Sequence, residues 1–175
     1  MLFRSALALW QGANDKRGIA YAYYGLGLHA LATGDNETAC KHLEQALGMF
    51  TELDLSAEVI ETLSNLALAQ LALGSPEAAR GTSDRAMALL LEQKDVEEVQ
   101  QIYLNHYLVL SAAGEPEAGE VLGKAFAAMT EQAERIEDEA ERKVFLCEVP
   151  VNRKISELQQ AAPKSARKKA KLKAV

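Results

Sequence analysis

From residue 56 to residue 73 the apolar positions Val59, Leu63, Leu66, Ala67 and Leu71 recur every three or four residues. That spacing puts them in one stripe down a helix of about five turns. A turn follows, and beyond it Ala79, Ala86, Leu89 and Leu90 mark a second stripe of the same period. Each stripe gives its helix one apolar side, so the two helices are expected to pack against each other as an antiparallel pair. The stretch between them, Leu73-Gly74-Ser75-Pro76-Glu77, reads as the corner. Gly74 ends the first helix in the left-handed conformation that glycine adopts without a side-chain clash. Ser75 is the expected N-cap of the second helix, with Pro76 at its first position and Glu77 in the first turn, where the helix dipole favours an acid.

The corner recurs. Gly34, Gly74 and Gly114 stand 40 residues apart, as do Ala32, Ala72 and Ala112, Glu37, Glu77 and Glu117, and Tyr23, Leu63 and Tyr103. The chain is therefore an internal repeat of helix pairs, a pattern to be sought before any other reading. Ala39, Ala79 and Gly119 continue the register, after which one residue is lost and Ala125 takes the place of Ala46 and Ala86. Asp35 and Asn36 are expected to cap in the first unit. Asp54 or Ser56 should begin the first helix of the second unit, and Asp95 that of the third. Ala39, Ala67 and Ala79 leave room for close approach of paired helices. In the third unit Tyr107 stands where a small residue is expected, and Gly119 and Gly123 on the facing helix are expected to accommodate its ring.

Composition agrees with helix. Ala, Leu and Glu dominate, aromatics make up 6%, Val and Ile are sparse, and no segment reads as strand. With 49% hydrophobic residues the chain must bury a core. Cys40 and Cys147 are far apart with no CxxC spacing, which suggests a reducing compartment. No run reaches the roughly 18 apolar residues of a membrane span, and the short run Ala6–Trp10 is followed by no cleavage site. The expected location is the cytoplasm.

The residues resemble the tetratricopeptide (TPR) repeat: a bulky residue, Leu-Gly, a glycine turn, then two alanines on the second helix. Tyr23, Leu26, Gly27, Gly34, Ala39 and Ala46 follow that order, and Leu63, Leu66, Ala67, Gly74, Ala79 and Ala86 follow it again. The third unit departs at Tyr107. The unit of 40 is longer than the usual 34 and looks like the long-helix variety in C-terminal TPR arrays of large bacterial signalling and transcriptional regulators. The closing segment, residues 140–155, is similar to the end of such arrays. The resemblance implies an all-α fold, a right-handed superhelical solenoid of antiparallel helix pairs with a C-terminal capping helix. The expected organisation is one repeat domain over 1–161: a half repeat at 1–13, repeats at about 14–53, 54–93 and 94–135, and capping helices at about 138–161. In the cap, Asp138 is the expected N-cap with Glu141 at the third helical position, Val144 and Phe145 face inward, Pro150 stops the helix, and a short helix runs from Asn152 to about Ala161.

Residues 162–175 differ from the body. Six Lys or Arg and no acid fall in 164–173, while residues 1–163 hold 13 basic residues against 25 acidic ones. A basic run invites a nucleic-acid or anionic-surface reading. It carries no aromatic to stack on a base, so a solvated, disordered tail is the expectation and nucleic acid a lesser alternative.

Catalytic chemistry finds no support. His29, His42 and His106 make no metal-ligand spacing, and no phosphate-cradling glycine loop or nucleophile elbow occurs. No enzyme, metal or cofactor is expected, and Glu97-Glu98 and Glu137–Glu141 read as solvated faces. What remains is a surface for a protein or peptide partner. The TPR register implies a concave wall built from first helices: Tyr21, Tyr24 and Gly25, then Glu61, Ser64, Asn65 and Leu68, then Gln101, Leu104, Asn105 and Leu108. Asn65 and Asn105, 40 apart, either pair with a peptide backbone or bond a neighbouring helix. TPR domains that clamp a C-terminal carboxylate use Lys, Asn and Arg where this chain has Tyr24, Leu28, Ser64 and Leu68, so a basic or amphipathic segment suits the wall better. At the other end, residues 2–16 align with a second helix that has no first-helix partner. Its stripe Phe3, Leu7 and Trp10 is expected either to mark a fragment of a larger protein or to form a homodimer interface.

Overall fold

The computed structural model describes residues 2–93 and 96–161, nine α-helices and no strand among them. They fall into two compact units that divide at Glu97 and Glu98.

The first unit holds α1 (Leu2–Ala13), α2 (Lys16–Thr33), α3 (Asn36–Glu52), α4 (Ser56–Ala72) and α5 (Pro76–Glu92), each packed against the next. The corners inside the pairs are alike. Gly34 and Gly74 have φ of 80° and 75°. The next residue's N–H reaches back across the turn, Asp35 to the Ala30 carbonyl at 2.9 Å and Ser75 to that of Gln70 at 3.0 Å. These are the bonds by which a left-handed residue satisfies the last carbonyls of a helix. Asp35 accepts from the Thr38 N–H at 3.2 Å as expected. Ser75 sits at the cap position with Pro76 behind it, but its hydroxyl makes no capping bond.

The corners between pairs use a different residue type. Asn14 and Asp54, 40 apart, are both left-handed at φ 54°, a conformation that Asn and Asp tolerate better than other non-glycine residues. Asp54 therefore closes α3, and neither it nor Ser56 caps α4: the cap position is Leu55, without a side-chain bond.

The core of this unit is a ladder of alanines with large residues wedged between them. Ala20, Ala39, Ala46, Ala67, Ala69 and Ala79 are fully buried, with Leu43, Phe50, Ile60 and Leu63 filling the space. Leu43 contacts backbone where α2 carries Gly27: a Cβ there would lie 2.7 Å from Leu43 Cγ.

The second unit holds α6 (Val99–Ala112), α7 (Ala118–Glu134), α8 (Glu139–Glu148) and α9 (Pro150–Ala161). Its inner corner repeats the others, with Gly114 at φ 71° and the Glu115 N–H donating to the Leu110 carbonyl at 3.0 Å. The expected cap Asp95 lies outside the described residues; α6 begins at Val99, behind Glu98 at φ 50°.

The buried residues of α7 correct the repeat register. Ala118, Leu122, Ala125 and Met129 take the places of Ala79, Ser83, Ala86 and Leu90, a constant offset of 39. The lost residue thus falls in the corner before Ala118, not after Gly119. Gly119 is turned outward, and a Cβ there would meet nothing within 4 Å, so it makes no room for Tyr107. Tyr107 packs instead beside Leu110, Ala118 and Val121.

Asp138 caps α8 by accepting from the Glu141 N–H at 2.8 Å. Phe145 joins the core, but Val144 is 56% exposed, because consecutive residues of a helix point about 100° apart and one of this pair must leave the packed side. Pro150 opens α9. The fully buried Asn152 donates to the Phe145 carbonyl at 3.0 Å, which satisfies one of the last carbonyls of α8.

Candidate functional site

The first helices of the two pairs in the first unit, α2 and α4, are bridged by two parallel contacts. Tyr21 and Tyr24 are three residues apart on α2, Glu58 and Glu61 three apart on α4, so each pair lies on one helix face about 4.5 Å apart along the axis. The Tyr21 hydroxyl donates to Glu58. The Tyr24 hydroxyl reaches Glu61 Oε2 at 3.5 Å. Asn65, one turn further along α4, donates from Nδ2 to the Tyr24 hydroxyl at 3.2 Å and to the Glu61 carbonyl at 2.9 Å.

Beneath this layer the buried Phe50 ring sits edge-on to both tyrosines, at 5.1 Å from Tyr21 and 6.1 Å from Tyr24. Such T-shaped pairs fix ring orientation as well as burying area. Above it, the exposed Arg17 places its guanidinium carbon 5.8 Å over the Tyr21 ring. The Tyr21 phenol is held above its ordinary pKa first by the bond to Glu58, with Arg17 pulling the other way. The Arg17 guanidinium is raised in turn, chiefly through Tyr21.

Four of the sequence candidates, Tyr21, Tyr24, Glu61 and Asn65, are thereby brought together. Asn65 spends its donors on its own chain, one bond crossing to α2. Sequence reasoning missed Glu58, Arg17 and Phe50. The spacing of Glu58 to Glu61 matching that of Tyr21 to Tyr24 was the available signal for the first. Leu68 is half-buried further along α4.

Other candidates are buried. Ser64 is 3% exposed, and on α6 Leu104 is 4% and Asn105 1% exposed. Leu104 and Leu108 belong to the cluster formed with Ile155, Val151 and Leu158 of α9, so the capping helix turns that part of the α6 face into core. Gln101 donates to Asn105 Oδ1 at 2.6 Å. The expected α1 stripe is also altered. Trp10 lies on Gly18 of α2, where a Cβ would come within 2.5 Å of the indole, and Leu7 is half-buried. Leu9 is 72% exposed, and Trp10 remains 42% exposed. The Phe3 side chain and residues 162–175 lie outside the described residues.

His42 stacks on Tyr23 at 5.7 Å and pairs with Gln45. Among the described residues no group of His, Cys, Asp and Glu is arranged to hold a metal, and no helix is long and apolar enough to cross a membrane.

Compared with known families, residues 18–92, from α2 to the end of α5, match the tetratricopeptide repeat. Repeats of that family generally mediate protein–protein interaction. No curated protein matches the chain. The all-α fold of consecutive packed helix pairs agrees with the TPR-like solenoid class.

Proposed function

We propose that this chain is a non-catalytic scaffold that binds a peptide or helix of a protein partner, and that the contact surface is the wall formed by Tyr21, Tyr24, Glu58, Glu61 and Asn65. The observation that carries this reading is the paired Tyr–Glu arrangement on α2 and α4, inside the segment that matches the TPR family. Its rings are fixed by Phe50, so little ordering is lost when a partner docks. The resemblance of the 40-residue unit to the arrays of bacterial regulators supports a place in a larger protein of that kind, and the widely separated Cys40 and Cys147 support a cytoplasmic one. A photo-crosslinking residue in place of Tyr21, with one in place of the exposed Lys41 on α3 as control, tests the surface in cells. Partner adducts are expected from the first site. Adducts confined to the second would overturn the assignment.

A second reading has its own observation. Leu9, 72% exposed on α1 beside the partly exposed Trp10, suits self-association. Light scattering of the chain and of Leu9→Glu checks it: a dimer dispersed by the substitution supports it, and a monomer throughout removes it.

A further inference from the structure

We infer that α8 pairs in parallel with the α8 of a second copy of this chain, through the exposed stripe Ala140, Val144 and Cys147. This goes beyond both readings above and depends on neither.

α8 has two opposite sides. Phe145 and Leu146 join the core with Met129 of α7 and Ile155 of α9, and the Arg142 guanidinium donates to the Ile136 carbonyl at 2.6 and 3.0 Å. At 100° per residue, the side facing away from these three is the line of Ala140, Val144 and Cys147. All three are exposed, Val144 at 56%. Their spacing of four and then three residues is that of a coiled-coil seam, with Val144 at an a position and Ala140 and Cys147 at d positions. A β-branched residue at a favours a seam of two strands.

Charge complementarity names the occupant and its direction. Lys143 and Glu148 are exposed and flank the stripe, one on each side. Five residues apart, they stand about 140° apart around the helix and cannot reach each other. Neither side chain makes an ion pair among the described residues. In the register of the seam they are a g and the following e, the two positions that meet between parallel strands. A second copy laid parallel brings Lys143 of each chain to Glu148 of the other, so the pair forms twice. Laid antiparallel, it would set lysine against lysine and glutamate against glutamate. The stripe is short, which makes the pairing a weak one, with a Kd of roughly 0.1–1 mM.

The test is sedimentation equilibrium of the full chain from about 10 μM to about 1 mM, a range that brackets that affinity. Lys143→Glu and Glu148→Lys are each expected to weaken self-association about tenfold, because each turns both attractive pairs into like-charge pairs. An equimolar mixture of the two variants is expected to recover the native association, since every facing pair is again opposite in charge. Circular dichroism melts confirm that each variant is folded. Diamide, a two-electron oxidant that takes up both thiol hydrogens, is expected to join Cys147 of one chain to Cys147 of the other in the native protein and in the mixture, and much less in either variant alone. A chain that stays monomeric at every concentration would overturn the inference. So would a dimer that Leu9→Glu disperses and both charge variants leave intact, which would assign self-association to α1. Opposite effects of the two variants would overturn it as well: on a chain of net charge −6, overall repulsion alone would make Lys143→Glu weaken the dimer and Glu148→Lys strengthen it.

Discussion

Gly27 on α2 and Leu43 on α3 are in contact without an intervening Cβ: one added to Gly27 would stand 2.7 Å from Leu43 Cγ and 3.2 Å from the Leu43 backbone nitrogen. Leu43 is fully buried and has nowhere to retreat. Forty residues on, the same two places hold Ala67 and Ser83, both buried, so the second pair has moved volume from one helix to the other. Gly27→Ala is therefore expected to lower stability by about 1–2 kcal/mol, an overpacking cost only partly offset by the better helix propensity of alanine. A urea melt with unchanged slope and a lower midpoint is the expected reading. Gly27→Ala combined with Leu43→Ser should cost less than the sum of the two single changes.

Glycine elsewhere in the repeats behaves in the opposite sense. Gly48 in α3 and Gly81 in α5 are exposed mid-helix positions where a Cβ meets nothing within 4 Å. Alanine at either is expected to stabilise by about 1 kcal/mol through backbone entropy and helix propensity. Gly74→Ala, at φ 75°, is expected to destabilise by about 1–2 kcal/mol, the cost of a left-handed alanine. Thermal melts of the three variants should move in those two directions, and a lower melting temperature for Gly81→Ala would contradict the open space seen there.

Tyr21 should titrate late. Its phenol is raised first by the bond to Glu58, so the folded state favours the neutral form. The contribution to stability is full below the ordinary phenol value of about 10 and is lost as pH rises through the folded-state value. In an ultraviolet titration Tyr21→Phe should remove a late-ionising phenol, and Glu58→Gln should bring that phenol down. Tyr103, raised by burial alone, serves as the late control in both.

The two thiols should separate kinetically. Cys147 is exposed, whereas Cys40 is half-buried and its thiol is pushed up first by burial and then by Glu44. Because the thiolate is the reactive form, labelling with an aromatic disulfide near pH 8 should be biphasic, Cys147 ahead of Cys40. Cys147→Ser should abolish the fast phase alone. A single slow phase in the native chain would show that Cys147 is shielded.

The helix pairs and their corners were legible because their causes are local. A stripe of period 3.6 needs no neighbour to be read, and Gly34, Gly74 and Gly114 announce a left-handed turn by lacking a Cβ. Asp54 was harder. Asp serves equally as an N-cap and as a left-handed helix end, and only the backbone shows that it took the second role. Gly119 misled for a related reason. A one-residue loss inside a corner leaves the sequence on both sides intact, and the burial of Ala118, Leu122 and Ala125 shows where the register slipped.

By itself the sequence determined an all-α chain of paired helices and its repeat spacing, and it singled out Tyr21, Tyr24, Glu61 and Asn65 on the first helices. Those are consequences of side-chain period, backbone freedom at glycine and the identity of residues along one helix. Only the tertiary structure decided which of these first-helix residues stay exposed and which side chains of the same chain they hydrogen-bond. Leu104 and Asn105 became core in the unit closed by α9, and Tyr21 found Glu58 37 residues away, because burial and partner choice depend on what another helix brings alongside. That is a property of packing, which no single stripe of residues contains.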